Sequence, residues 1–209
     1  DDPKKLGRVK VKFPWLDPLQ ESNWARVASA GAGKKRGMNV IPEVNDEVLV
    51  TFLFGDFDYP IVLGGLWNEV DELPPAIKQF GVSGGKVQQR ILQSREGHRL
   101  IMNDTDNELE IKLITKEDRH IRIVDKPDGM VEIKTKNSSI KFTDDKMDVK
   151  TQSDTTVDAT GKVTIKSASD IKIEANANIE VKATANLKLT ANGNIDIQAS
   201  GMVNIKGSM

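Results

Sequence analysis

The chain lacks cysteine, and histidine occurs only twice in its 209 residues, at His98 and His120. Without cysteine there is no disulfide framework, thiolate nucleophile or Cys-ligated zinc, and two histidines nearly exclude a multi-histidine metal site. No apolar run approaches the roughly 20 residues that cross a bilayer, and the charged start at residues 1–5 does not fit a signal peptide. The chain starts at Asp1 rather than Met, so we expect it to be part of a longer protein.

Aromatic residues and prolines are scarce in the second half of the chain. Nine of the ten aromatic residues lie in the first 80 positions, and neither an aromatic residue nor a proline follows residue 145. The first region can build a core from large side chains, whereas the second has only medium-sized aliphatic residues and needs repetition to bury them. Charge is balanced, since 30 Lys and Arg against 31 Asp and Glu give a formal net charge of -1. This balance disfavours a polyanion as partner.

Residues 146–209 consist of eight consecutive octads. Positions two and four are apolar in fifteen of sixteen cases, whereas positions one, three and five are polar except for Met202. Because side chains alternate between the two faces of a strand, each octad predicts a short strand with one buried face. Position six is always small, and position eight is Ser, Gly or Ala until Met209, which suits a bend between strands.

One octad spans only about 26 Å at about 3.3 Å per residue, which is too short for a closed turn of a solenoid. Either three successive octads form one turn of a single-chain β-solenoid, or three chains wrap together and each supplies one side of every level. We favour the homotrimeric, intertwined triple-stranded β-helix, in which the chains share their backbone hydrogen bonds around an aliphatic centre. With levels about 4.8 Å apart it would form a needle about 40 Å long. The predicted trimer core contains Val163, Ile165, Ile171, Ile173, Ile179, Val181, Leu187, Leu189, Ile195, Ile197, Val203 and Ile205.

Apolar residues recur about every ten positions between residues 90 and 145, at Ile101/Met102, Ile111/Leu113, Ile121/Ile123, Val131/Ile133 and Ile140/Phe142. Segments rich in turn-forming residues separate them at 103–107, 116–119, 125–129 and 137–139. We predict that these are wider turns of the same prism. Residues 81–145 would then form the neck and irregular start of the β-helix, and residues 146–209 its regular part.

Residues 6–80 predict a small closed β-barrel. Segments 6–13, 23–29, 47–54 and 60–67 have strand patterns, and a glycine-rich loop and the segment 55–60 separate them. About five strands in about 70 residues are typical of an OB barrel, which we place at residues 1–80. OB barrels often bind nucleic acid, and Lys10, Lys12 and the basic segment 34–36 lie near aromatic residues in the sequence. Lysines that alternate with apolar residues are more typical of a solvated strand, so we expect no nucleic acid partner.

Four segments carry a resemblance to a known family: GRVKVKFPW (7–15), WARVASAGAGKKRG (24–37), IPEVNDEVLVTFLFGDFDYPIVLGGLWN (41–68) and SREGHRLIMNDTDNELEIKL (94–113). They are similar to the OB domain and neck of the VgrG and phage central-spike family, also grouped with baseplate protein V. The order of barrel, glycine-rich neck and octads extends the resemblance over essentially the whole chain. The resemblance implies an all-β homotrimer whose triple-stranded β-helix is the membrane-puncturing needle of a phage tail, type VI secretion system or extracellular injection system.

The resemblance also implies partners and a location. A PAAR-type tip protein would bind the C-terminal end, baseplate hub and tail-tube proteins would bind the N-terminal end, and the target membrane would be contacted transiently. The protein would belong to the baseplate of a phage virion or injection-system particle and leave the producing cell on firing. Two family features are missing: residues 68–90 are too few for the lysozyme-like domain of some relatives, and no His-x-His motif lies near the end. The larger hub domain that precedes the barrel in VgrG-like chains lies outside these 209 residues, which fits either a longer parent chain or a separate hub polypeptide.

Two groups of residues suggest catalysis. These are Glu96-Gly97-His98 and the acidic cluster Asp104, Asp106, Glu108 and Glu110. Paired carboxylates could act as acid and base, and Asp104-Thr105-Asp106 could offer oxygens to a hard cation. Turn formation explains the same residue types better, because Asp, Asn and Gly favour hairpin turns. We therefore predict a mechanical protein that has no enzyme activity, catalytic residue, cofactor or metal.

The last octad, MVNIKGSM, departs from the polar pattern of the others. We predict that Met202, Gly207, Ser208 and Met209 form a flat, partly apolar platform that a tip protein caps. The alternative is that Met209 plugs the prism core. Two other functions stay open at this point: a β-solenoid adhesin or surface fibre, and an OB-fold nucleic-acid-binding module.

Overall fold

The computed structural model describes residues 1–80 and 82–207. The chain divides into two compact units, Asp1–Thr155 and Thr156–Met209. The fold is all-β, as predicted, and α1 at Pro75–Phe80 is the α-helix of the described part. None of the helices in the described ranges is long and apolar enough to cross a membrane.

The N-terminal part of the first unit is built from short strands. β3 (Arg26–Val27) runs parallel to β5 (Pro60–Gly65), and β4 (Val48–Phe52) runs antiparallel to β5. β1 (Lys12–Phe13) and β2 (Asp17–Glu21) pair as a separate hairpin. A bridge between Val9 and Ala25 links the first predicted strand to the second, and Ala25 and Val62 are fully buried. The four predicted strand segments are thus present in shortened form.

Asp2 fixes the N-terminal loop. Its carboxylate accepts hydrogen bonds from the backbone N–H groups of Lys4, Leu6 and Arg8, and the Arg8 guanidinium lies 2.7 Å from its Oδ1 atom. The hydrogen bond from the Arg8 side chain favours the charged carboxylate and holds the pKa of Asp2 well below its usual range. The same guanidinium lies 5.5 Å from the ring centre of Trp24, which attaches the loop to the barrel.

A seven-stranded antiparallel sheet occupies the rest of the first unit. A short hairpin of β6 Val82–Ser83 and β7 Lys86–Val87 precedes it. The sheet strands lie side by side in sequence order, so strands that are consecutive in the chain are paired with each other. They are β8 Gln89–Gln93, β9 Arg99–Thr105, β10 Glu108–Ile114, β11 His120–Val124, β12 Met130–Lys134, β13 Ser138–Thr143 and β14 Met147–Thr151.

This meander differs from the predicted wider turns of a prism. The reason lies in the connections, which are short turns that reverse the chain. In two of them Asn107 and Asp118 adopt positive φ angles of 69° and 58°, a conformation typical of tight turns. The predicted turn at 103–107 is also shorter than expected, because β9 continues through Thr105. The first octad, residues 146–153, is part of this sheet, since Met147–Thr151 pairs with β13.

The octads of the second unit have a different backbone conformation from the sheet. The chain bends at positions seven and eight of each octad from 152/153 to 200/201, so the bends repeat every eight residues. This confirms the predicted bends at the small residues. Across residues 154–207 the described backbone contains no strand and makes no backbone–backbone hydrogen bond within the chain.

Candidate assembly interface

Two rows of apolar side chains cross the seven-stranded sheet on one face. The strand register places neighbouring members of each row directly opposite one another. Most of these side chains are 38–59% exposed. The first row is Met102, Ile111, Ile123, Val131, Phe142 and Met147, and the second is Leu92, Leu100, Leu113, Ile121, Ile133, Ile140 and Val149. We call this surface the apolar sheet face.

The sequence predicted most of these rows but misplaced one pair. Ile101 and Met102 are adjacent in the chain, so their side chains lie on opposite faces of β9. The register assigns Leu100 and Met102 to the apolar sheet face and Ile101 to the other face. Leu100 can be assigned to the same face as Met102 from the sequence, because side chains two residues apart on a strand share a face. Leu92 belongs to this face because it lies opposite Leu100.

The opposite sheet face is mixed and more buried: Ile114 and Val124, which are 6% and 5% exposed, lie there beside charged side chains. His120 is 7% exposed, and its Nε2 atom lies 3.2 Å from Oε2 of Glu132. Arg122 lies beside both carboxylates of its neighbouring strands, 2.9 Å from Oε2 of Glu110 and 4.0 Å from Oε2 of Glu132. The two faces therefore differ: one combines ion pairs with the buried Ile114 and Val124, whereas the other consists of exposed apolar side chains.

The predicted trimer-core residues are all exposed in the single chain. Those at position two of their octads, from Val163 to Val203, are 48–59% exposed. Those at position four, from Ile165 to Ile205, are 66–86% exposed. Met147 and Val149, the last members of the two sheet rows, are also positions two and four of the first octad. The same two-row pattern thus continues in the sequence from the sheet into the octads.

The total surface of the single chain is large. The chain exposes 18683 Å². A folded monomer of 23.1 kDa exposes about 9,700 Å² according to the scaling of surface with mass. The single chain therefore has about twice the surface of a self-contained globular protein of its size.

The predicted tip residues lie in the last octad. Met202 is 79% exposed, and a side chain added at Gly207 would meet nothing within 4 Å. Ser208 and Met209, the other two predicted tip residues, lie outside the described residues. Whether these four residues form one platform stays a prediction.

The residues that suggested catalysis take part in turns and ion pairs. Backbone N–H of Lys116 donates to Nδ1 of His98 at 3.2 Å, and Glu96 lies 3.7 Å from the Lys116 ammonium. Asp104 pairs with Arg90, and Glu110 pairs with Arg122. In the described ranges no group of three or more His, Asp or Glu side chains is arranged to hold a metal ion.

The N-terminal barrel defines the class of protein. Residues 1–67 match the family model of the type VI secretion system/phage-baseplate injector OB domain. This region is therefore an injector OB domain, and the match confirms the resemblance to the VgrG and baseplate spike family.

Named relatives agree with this assignment. The type VI secretion system spike protein VgrG3 of Vibrio cholerae is 44% identical over 77 residues, which are 34% of this chain and 8% of that protein. VgrG1a of Pseudomonas aeruginosa is 44% identical over 75 residues, 34% of this chain and 12% of that protein. VgrG2a of the same organism is 30% identical over 113 residues, 52% of this chain and 13% of that protein. The chain thus matches about a tenth of the length of these relatives.

Proposed function

We propose that three copies of this chain assemble through the apolar sheet face and the octads, and that the homotrimer is the central spike of a contractile injection machine. Residues 146–209 would wind into a triple-stranded β-helix. The observation that carries the proposal lies in residues 154–207, where exposed aliphatic positions recur in every octad while the backbone makes no hydrogen bonds to itself. Further copies of the chain supply both the missing strands and matching apolar rows.

The energetics favour assembly over an isolated chain. Burial of an Ile, Val or Leu side chain stabilises by about 1.5–3 kcal/mol, and this gain is available only when other chains cover the side chain. An exposed octad gains nothing from its two aliphatic side chains. Buried backbone groups also require partners, which neighbouring octads from other chains provide.

A spike is the role that the OB domain and its relatives support. Force from a contracting sheath would act along an axis around which the chains hold one another. No chain could separate without exposing the aliphatic centre, so we expect high kinetic stability. We propose that the chain pierces the target envelope mechanically and has no enzyme activity of its own.

The ends of the spike would bind different partners. We propose that the OB domain faces the baseplate hub and tail tube, and that residues 202–209 carry a PAAR-type tip protein. Residues 146–209 contain eight Lys against seven Asp and Glu, a mixed surface that suits passage through an envelope without adhesion. Deletion of residues 206–209 should abolish pull-down of a purified PAAR-type protein, and undiminished binding would place the tip contact elsewhere.

The mass in solution tests whether the chain forms a homotrimer. Light scattering coupled to gel filtration should give three times the chain mass of 23.1 kDa, and the trimer should resist SDS at room temperature. A monomer would overturn the proposal and favour the single-chain solenoid. A trimer that dissociates readily in SDS would contradict the expected kinetic stability.

A further inference from the structure

The outward positions of the octads carry charges whose sign alternates from one octad to the next. At positions five, three and one, the sign of the charge changes at every step for as long as consecutive octads have a charged residue there. All members of the three series are exposed. Position five has Lys150, Asp158, Lys166, Glu174 and Lys182; position three has Lys172, Glu180, Lys188 and Asp196; position one has Lys146, Asp154, Lys162 and Asp170.

The winding of three chains determines which octads become neighbours. Each octad covers one side of the prism, and the bend after its eighth residue carries the chain to the next side, one level higher. By threefold symmetry, octad n of one chain then lies directly below octad n+1 of the next chain on the same side. Neighbouring strands are parallel, so equal octad positions come to lie about 4.8 Å apart. This step rests on the proposed trimer.

With an offset of one octad, consecutive members of each series come to lie side by side, and in every case they have opposite charges. An offset of two octads, or of none, would instead bring like charges together, for example Lys166 beside Lys182. An offset of three octads, the stacking of a single-chain solenoid, would pair opposite charges such as Lys150 with Glu174 and Asp158 with Lys182, and like charges only at Lys182 and Lys206. The series therefore disfavour the even offsets, and the winding of three chains selects one octad rather than three. Opposite charges in directly opposed cross-strand pairs stabilise a sheet, and like charges destabilise it.

The aliphatic centre cannot select among these offsets. Positions two and four contain Ile, Val or Leu from the third octad to the eighth, so a slip by a whole octad would leave the centre almost unchanged. A repeat of this kind needs a second feature that specifies its register. We propose that the three alternating charge series are this feature, and that they pair each chain with its neighbour at an offset of one octad.

Charge exchange tests the role of the series. The double variant D158K/K166D keeps the composition and net charge but places lysine beside Lys150 and aspartate beside Glu174, while the position-three neighbours Thr156 and Thr164 are neutral. We expect refolding into trimer to be several-fold slower than for the parent at low salt, with the uncharged variant D158N/K166Q in between. The difference should shrink in 1 M salt, because exposed charges are screened. Equal refolding of all three proteins at low salt would overturn the proposal.

Engineered cysteines test the offset itself, and the absence of native cysteine makes the result unambiguous. A disulfide requires Cα atoms within about 7 Å, so K166C/E174C should yield covalent trimers under oxidation. The single variants K166C and E174C, and the two-octad pair K166C/K182C, should not. If the protein is a trimer and K166C/K182C cross-links instead of K166C/E174C, the offset is wrong although the proposed spike stands. If the parent protein is a monomer, the spike itself fails.

Discussion

The seven-stranded sheet and the octads share one side-chain pattern but have opposite relations to their own chain. Within the two apolar rows, strands β9–β14 and the octads carry two apolar positions each, apart from Thr155 in the second octad, and Met147 and Val149 belong to both patterns. In the sheet, turns such as the one at Asn107 return the chain beside itself, and the backbone pairs within the chain. In residues 154–207 the chain bends every eight residues without reversing, and its backbone finds no partner in the chain.

The comparison shows that the connection between strands, rather than the strands, decides where a backbone finds its partners. Tight turns, three of which contain a residue of positive φ (Gly97, Asn107 and Asp118), reverse the chain and produce a self-paired meander. Small residues that only bend the chain lead each octad away from the previous one. We expect a region of the first kind to fold alone, whereas under the proposed function a region of the second kind depends on assembly.

The largest expected effect comes from breaking the assembly in the octads. We predict that Val163→Asp abolishes the trimer, because an unpaired buried charge destabilises by roughly 3–5 kcal/mol and each trimer would contain three. The neighbouring Thr164→Asp adds the same charge on the outer face and should leave the trimer intact. Gel filtration with light scattering measures both, and a trimeric Val163→Asp would contradict an inward position two.

The same variant allows amide protection in the sheet to be compared with amide protection in the octads. In monomeric Val163→Asp, amides of the sheet strands Glu108–Ile114 and His120–Val124 should stay protected from hydrogen exchange, since their partners are in the same chain. Amides of the octads should exchange at the rate of an unfolded peptide. Hydrogen–deuterium exchange with mass spectrometry resolves both regions. Equal protection would mean that the octads pair within one chain.

A moderate effect is expected on the polar face of the sheet. Glu132→Ala removes the partner of the buried His120 Nε2 atom, and an unpaired buried polar group costs about 1–3 kcal/mol. Lys134→Ala, on the same strand but exposed, should change the free energy of unfolding by less than about 0.5 kcal/mol. Urea unfolding followed by circular dichroism compares the two variants. Equal midpoints would show that the His120–Glu132 contact contributes nothing.

The smallest effect concerns the N-terminal loop and pH. Because the pKa of Asp2 is lowered in the folded protein, its contribution to stability is complete above the unfolded value of about 3.9 and is lost as the pH falls towards the folded value. The melting temperature of the parent should therefore fall more steeply between pH 5 and pH 2 than that of Asp2→Asn. Parallel pH profiles would show that the Asp2–Arg8 contact does not contribute to stability.

Much of the fold could be read from local patterns. The eight-residue period predicted the bends, because small residues at fixed positions are a local signal, and the injector OB domain was identified from its motif segments. The pairing of residues 89–151 was not predictable in this way, since Ile111/Leu113 and Ile121/Ile123 fit a wound prism and a meander equally well. The His120–Glu132 contact was also missed, because it joins residues on two strands whose register the sequence does not specify.

The amino-acid sequence by itself determined the all-β character, the octads with their apolar positions two and four, and the alternating charges on the outward positions. These features depend on residue type and spacing alone. The structure was needed to show that the sheet pairs within its own chain and that residues 154–207 make no backbone–backbone hydrogen bonds within the chain. Strand pairing depends on whether the chain reverses or only bends between strands, and the apolar pattern is the same in both cases.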